Sequence, residues 1–301
     1  MGNRVSLGVL AVLLSAFGFG MMPLLAVYAY AGGASVPTVL FVRFALAALF
    51  FFALLKIRRH KITMGRKQLL VLFLMGGIFY TAMSTMYFLS VKFVTSSVAA
   101  LMLNTYPIFV ALMVAFLDKE KIGRRTIIAI VLAMTGMILV LGTSFGGVNL
   151  IGVSLALGAG VIYSAYIFVG NRLIREIPPL VTTAFVTLFT ACTLLISGLA
   201  AGQIDFHIEL QSWIASATLA FFSTILSIFL QLKGLELIGT TRTSVLSLFE
   251  PIVAIILSAL FLHDALTFTQ LIGAMIVVSG GVLVVAVRDK NKEKPHLENA
   301  A

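Results

Sequence analysis

Cysteine occurs once in this 301-residue sequence, at Cys192, inside an apolar run. The chain can therefore hold no internal disulfide, and the thiol reads as a small buried hydrophobe. Charge is scarce as well: Asp, Glu, Lys and Arg make up 11% of the residues, against the roughly 25% usual in a soluble domain. Histidines are few and badly placed for chemistry, since His60, His207, His263 and His296 all fall in expected loops or the last stretch. Glu250 is the only acid well inside an apolar run, so metal-dependent or Ser/His catalysis within a membrane has no constellation to use, and an enzyme is not the reading. No Walker signature is present, which argues against direct ATP drive, and no cofactor is implied. The net charge of +10 is carried by residues lying between apolar runs rather than along one face. Without a recognition motif, that pattern points away from nucleic acid.

What the sequence has in excess is apolar residues, at 60% with a mean hydropathy of +1.11. Runs of this kind read as transmembrane helices about 30 Å long. Ten are expected, near 5–31, 35–56, 67–90, 95–117, 124–142, 149–171, 180–201, 211–235, 240–262 and 267–287. The first is too long for the apolar core of a signal peptide, although Ala29-Tyr30-Ala31 imitates a cleavage site, and it reads as a retained helix. If ten helices alternate, every Lys and Arg except Lys92 and Arg43 falls on one side. The positive-inside rule then predicts a multi-pass protein of the cell membrane with both termini in the cytoplasm. The polar stretch 288–301, RDKNKEKPHLENAA, is expected to be a cytoplasmic tail.

A second organisation overlies the first. A shift of 144 positions places Gly8 on Gly152, Pro107 on Pro251, Glu120 on Asp264 and Gly136 on Gly280, with the apolar runs in phase. The expected halves are residues 1–143 and 144–287. Five helices per half is an odd number, so the second half must enter the membrane from the opposite side. The expected fold is thus an all-α integral membrane protein of two inverted five-helix repeats around a central cavity, a secondary-transporter architecture with its site near mid-membrane.

Glu250 stands near the middle of the ninth run, where an unpaired charge costs on the order of 3 kcal/mol or more, which makes it a functional candidate. Pro251 follows it directly and frees the carbonyl of Ser247 on the same face, as Pro107 frees that of Leu103 beside Asn104 and Tyr106. Both prolines are expected to act as helix hinges. Arg43, about eight residues into the second run, reads as a site for a substrate carboxylate, a structural charge partner, or a side chain snorkelling to the outer interface. Tyr80, Ser84 and Tyr87 in the third run, Tyr163 and Tyr166 in the sixth, and Ser223, Ser227 and Gln231 in the eighth form polar stripes at helical spacing. Singly each reads as an interhelical hydrogen bond; together they describe an amphipathic cavity.

The stretches TSSVAALMLNTYPIFVALMVAFLDKEKIGRRTIIAIVLAMTGMILVLG and TTRTSVLSLFEPIVAIILSALFLHDALTFTQLIGAMIVVSGGVLVV, one in each half, resemble the EamA family of the drug/metabolite transporter superfamily. The cues are Arg43-Phe44 in the second helix, Pro107 and Pro251, the acids Glu120 and Asp264, and the small-residue runs with Gly136, Gly273 and Gly280. The resemblance covers nearly the whole chain. It implies a basket-like bundle with the fifth and tenth helices at the periphery, exporting amino acids or other metabolites. The expected function is accordingly a secondary active exporter of small amphipathic metabolites in contact with lipid and coupled to protons, with an uncoupled facilitator as the alternative.

Overall fold

The computed structural model of the chain describes residues 2–59, 64–117, 149–173, 177–247, 249–263, 267–269, 271–276 and 278–280, with scattered positions between 124 and 139. Among the described residues every regular element is helical. Six helices are long and apolar enough to cross a membrane: Arg4–Ala31, Val36–Ile57, Arg66–Ser90, Leu150–Gly170, Pro179–Ala200 and Leu210–Ile238. Shorter apolar helices, Ser96–Val110, Glu250–Phe261 and Leu271–Gly280, accompany them. Glu120, Asp264 and the tail 288–301 lie outside the described residues, whereas Gly136, Gly273 and Gly280 are described and buried.

In chain order the elements are α1 (Gly2–Gly20), α2 (Met22–Ala31), α3 (Val36–Ile57), α4 (Arg66–Phe73), a π-helical segment π1 (Leu74–Tyr80), α5 (Thr81–Ser90), α6 (Ser96–Leu103) and α7 (Tyr106–Leu117). After the sparsely described stretch come α8 (Leu150–Leu173), α9 (Pro179–Ala200), α10 (Leu210–Ala220), π2 (Phe221–Leu226), α11 (Ser227–Ser247) and α12 (Glu250–Phe261). Helix starts follow local chemistry. Ser35 caps α3 by accepting from the Thr38 amide at 3.2 Å, Thr95 caps α6 through Val98 at 3.4 Å, and Asn149 caps α8 through Ile151 at 2.9 Å.

The eighth and ninth runs needed a loop near 236–239, yet the backbone stays helical from Ser227 to Ser247. A straight helix would separate Gln231 from Ser247 by about 24 Å. Their side chains instead meet at 3.5 Å, so the chain folds back on itself between them while keeping helical hydrogen bonding.

Small residues set the packing. A Cβ on Gly8 would strike Leu237 and Ile238, one on Gly18 would overlap Ser227 and the Phe222 carbonyl, and Gly234 sits against Val12, so α1 runs antiparallel to α10–α11 in backbone-close contact. Ser15 adds a 2.7 Å bond to the Ser227 carbonyl. The other face of α1 carries Leu7, Leu10, Leu14 and Phe17, all 46–55% exposed. An apolar stripe of that kind is satisfied by lipid rather than water.

Both π segments are answered by hydroxyls. In π1 the Gly76 carbonyl accepts from Thr81 at 2.8 Å and from Thr190 of α9 at 2.9 Å, and a Cβ on Gly76 would come within 2.5 Å of the Val186 carbonyl. In π2 the Phe222 carbonyl accepts from Ser227 at 2.7 Å. The wider turn leaves carbonyls without an α-helical partner, and nearby Thr and Ser supply one.

One end of the bundle is closed by the segment 201–209, which lies as a strap across α2 and α3. Ser35 donates to the Gln203 carbonyl at 2.6 Å, the Asp205 amide donates to Thr38 at 3.2 Å, and the Glu209 amide reaches the Gly32 carbonyl at 3.2 Å. Phe206 packs edge-on to Phe41 and stacks on Trp213. Beneath it, buried Ala26, Ala29, Val36, Val39, Leu40 and Leu219 form an apolar plug. The His207 amide and ring hold the exposed Asp205 carboxyl below its usual range.

Candidate functional site

Two helices are interrupted in mid-course, and both interruptions face the same space. The first lies between Leu103 and Tyr106, the second between Ser247 and Glu250, so both boundaries keep the 144-residue spacing. Each is followed by a proline at the second position of a 12-residue half-helix, Pro107 in α7 and Pro251 in α12. Proline supplies no amide, so it ends one hydrogen-bonding ladder and starts the next without loss. At the first break the Asn104 amide donates to the Ala100 carbonyl at 2.9 Å and Thr105 to Met102 at 2.7 Å. Gly160 of α8 lets that helix approach closely, since a Cβ there would lie 3.2 Å from the Leu103 carbonyl. Ser164, one turn on, bonds the Tyr106 carbonyl at 2.8 Å. At the second break Ser247 donates to the Thr243 carbonyl at 2.9 Å.

Between the breaks lies a cavity of about 350 Å³, within the range of small-molecule sites. Of the residues singled out from the sequence, Glu250, Arg43, Asn104, Tyr106, Tyr80, Ser84, Tyr163, Tyr166 and Ser247 line it. Asn104 and Glu250, from the two halves of the chain, stand together on its wall. Gly20, at the end of α1, brings that helix against Val253 and the Glu250 carbonyl.

Arg43 is 2% exposed, and its guanidinium does not snorkel to an interface. Its Nε donates to the Thr224 hydroxyl at 2.6 Å and its Nη1 to the Met22 sulfur at 3.2 Å. The Phe44 and Phe88 rings stand 4.8 and 5.4 Å from the guanidinium carbon. Among the described residues no ion pair joins Arg43 to an acid, Glu250 included.

Aromatic rings connect the two ends of the cavity in one chain of contacts. Phe44 meets Tyr80 at 5.6 Å, Tyr80 meets Tyr166 at 5.3 Å, Tyr166 stacks on Tyr163 at 5.8 Å, and Tyr163 meets Tyr106 at 4.9 Å. Such edge and offset contacts fix the rings while leaving their faces and hydroxyls available to a guest.

Ser227 is not in the cavity. It is 1% exposed, bonds the Phe222 carbonyl and packs on Gly18. The expected stripe Ser223–Ser227–Gln231 assumed α-helical phase, whereas π2 inserts an extra residue and rotates the wall. Ile228 and Gln231 line the cavity instead, and Thr224 sits behind it on Arg43. Thr183 and Thr187 of α9 also line the cavity and were missed. Their signal was present as a Thr183, Thr187, Thr190 spacing on one helix face.

Comparison with known proteins gives the same outline. The profile of the EamA-like transporter family matches residues 6–142 and again 150–286. The Threonine/homoserine exporter RhtA of Escherichia coli (strain K12) is 31% identical over 286 residues, covering 90% of this chain and 93% of that protein. The Uncharacterized transporter YcbK of Bacillus subtilis (strain 168) is 28% identical over 268 residues, covering 86% and 84%. A solved crystal structure superposes with a TM-score of 0.65 over 96% of this chain and 99% of its own at 18% identity, a likeness of fold alone.

Proposed function

This chain belongs to the EamA-like transporter family, and from that premise we propose that it is a secondary active exporter of small metabolites, such as amino acids or related amphipathic compounds, working by alternating access. The observation that carries the reading is the cavity bounded by two equivalent helix breaks, with one buried base and one acid on its wall. Discontinuous helices at mid-membrane are the usual means of placing polar groups against a transported solute. The proposed frame is ten helices in two inverted repeats in the cell membrane, both termini cytoplasmic. In that orientation the strap faces outward. The plug under it separates the cavity from the outside, while the lining reaches Thr183, Gln231 and Thr243 toward the cytoplasmic end of α9 and the reversal within α11. The conformation is then the one that loads from the cytoplasm.

Glu250 is proposed to couple transport to protons. Asn104 shares the cavity wall with it, no base among the described residues forms an ion pair with it, and it stands beside the hinge Pro251. Protonation on one face and release on the other would change the cost of burying it as the cavity closes. The test is a metabolite comparison of cells with and without the protein, followed by counterflow in proteoliposomes. External accumulation of one compound class, with saturable exchange in vesicles, supports the exporter. Flux down a gradient that never responds to pH supports an uncoupled facilitator instead.

A further inference from the structure

We infer that Arg43 is the anchor for a carboxylate of the transported molecule, with Thr224 as the positioning residue that aims it. The inference rests on the transport reading above and adds the chemistry of the guest. A guanidinium stays charged at any pH a cell meets, and burying one without a counter-ion is costly. Arg43 is nonetheless 2% exposed, and among the described residues its hydrogen-bond and ring partners are neutral, a threonine hydroxyl, a thioether and two phenyl rings, while Glu250 acts on it only through space.

Those partners occupy it incompletely. Of five N–H donors, Nε is taken by Thr224 and one Nη1 hydrogen points at sulfur, a weak acceptor. The two rings stand against the carbon of the guanidinium and fix its plane without supplying negative charge. What this leaves on the cavity wall is part of a planar fork, the shape that receives a carboxylate through two parallel bonds. Glu250 shares the cavity and acts on Arg43 through space without forming an ion pair, so among the described residues no carboxylate closes on the fork and one has room to arrive with the guest. The grip of Thr224 on Nε exists because π2 turns residue 224, rather than 223, toward Arg43.

The test uses purified full-length protein in proteoliposomes, with the common L-amino acids, threonine among them, and their carboxamides as probes. Wild type is expected to exchange at least one acid about tenfold or more faster than its amide. Arg43→Gln should abolish that preference, and Arg43→Lys, which keeps the charge and loses the fork, should retain part of it. Thr224→Val should raise KM for the acid several-fold with kcat little changed, and Thr224→Ser should restore it. A merely structural Thr224 would alter yield without shifting KM. Should Arg43→Gln fail to fold, the acid-over-amide preference of wild type and the Thr224 pair decide the question alone. Equal rates for acid and amide, or a preference that survives Arg43→Gln, would overturn the inference while leaving transport standing. No saturable exchange of any probe by wild type would overturn the transport reading and this inference with it.

Discussion

The chain breaks α6–α7 and α11–α12 at positions 144 residues apart, yet Asn104 and Thr105 occupy one break and Glu250 begins the helix after the other. At the first break the side chains are spent on backbone: Asn104 and Thr105 serve carbonyls of their own helix, and Ser164 reaches across to a third. At the second, Ser247 serves the backbone and Glu250 lines the cavity beside Asn104. The two breaks share the backbone device, which costs only a proline and a few hydroxyls. The chemistry diverged. On the proposed reading the first break is a support, and the second carries the charge that makes the cavity responsive.

The largest effect is expected from Glu250→Gln. Accumulation driven by a pH gradient should fall at least tenfold (~1.4 kcal/mol or more in transition-state terms), while exchange of one substrate molecule for another continues. Asn104→Ala should lower both activities by less than that and by similar factors. Equal, large losses of pH-driven transport in the two variants would erase the distinction between the breaks. Intermediate effects are expected from the hinges: Pro107→Ala and Pro251→Ala should insert normally and slow turnover several-fold, because a restored amide re-joins each broken ladder. A slowdown confined to Pro251→Ala would show that only the charged break moves. The smallest effect belongs to Ser164→Ala, which removes one interhelical hydrogen bond worth about 0.6 kcal/mol. A small drop in melting temperature in detergent, with KM unchanged, would mark the first break as scaffold, and a changed KM would give it a part in binding.

How much of this was legible beforehand varied with what each signal depends on. Pro107 and Pro251, 144 residues apart, each stand at the start of the half-helix after a break, because proline acts through its own covalent geometry. Ser84, Tyr163 and Tyr166 reached the cavity because their helices keep α-helical phase through those positions, and Tyr80, the last residue of π1, lines it as well. Ser227 did not, since π2 displaces the register by a residue, and a π turn leaves no reliable mark in composition. The loop sought at 236–239 was hidden for a related reason, as the chain reverses there while remaining helical. Arg43 was placed on the right helix with its partners unknown. Thr224 lies 181 residues away in the chain, and only the packed bundle brings them together.

The central claim is that the space between the two breaks is open to one side at a time. The lone thiol, Cys192, is exposed, so Cys192→Ala gives a background in which Ser247→Cys reports from beside the second break. A membrane-impermeant thiol reagent should label that cysteine from the cytoplasmic face of oriented vesicles in the resting state. Labelling from the outer face should appear only under substrate and a pH gradient, with cytoplasmic labelling falling in step. Simultaneous labelling from both faces, or labelling that never changes side, would contradict alternating access and leave a pore or a sealed cavity in its place.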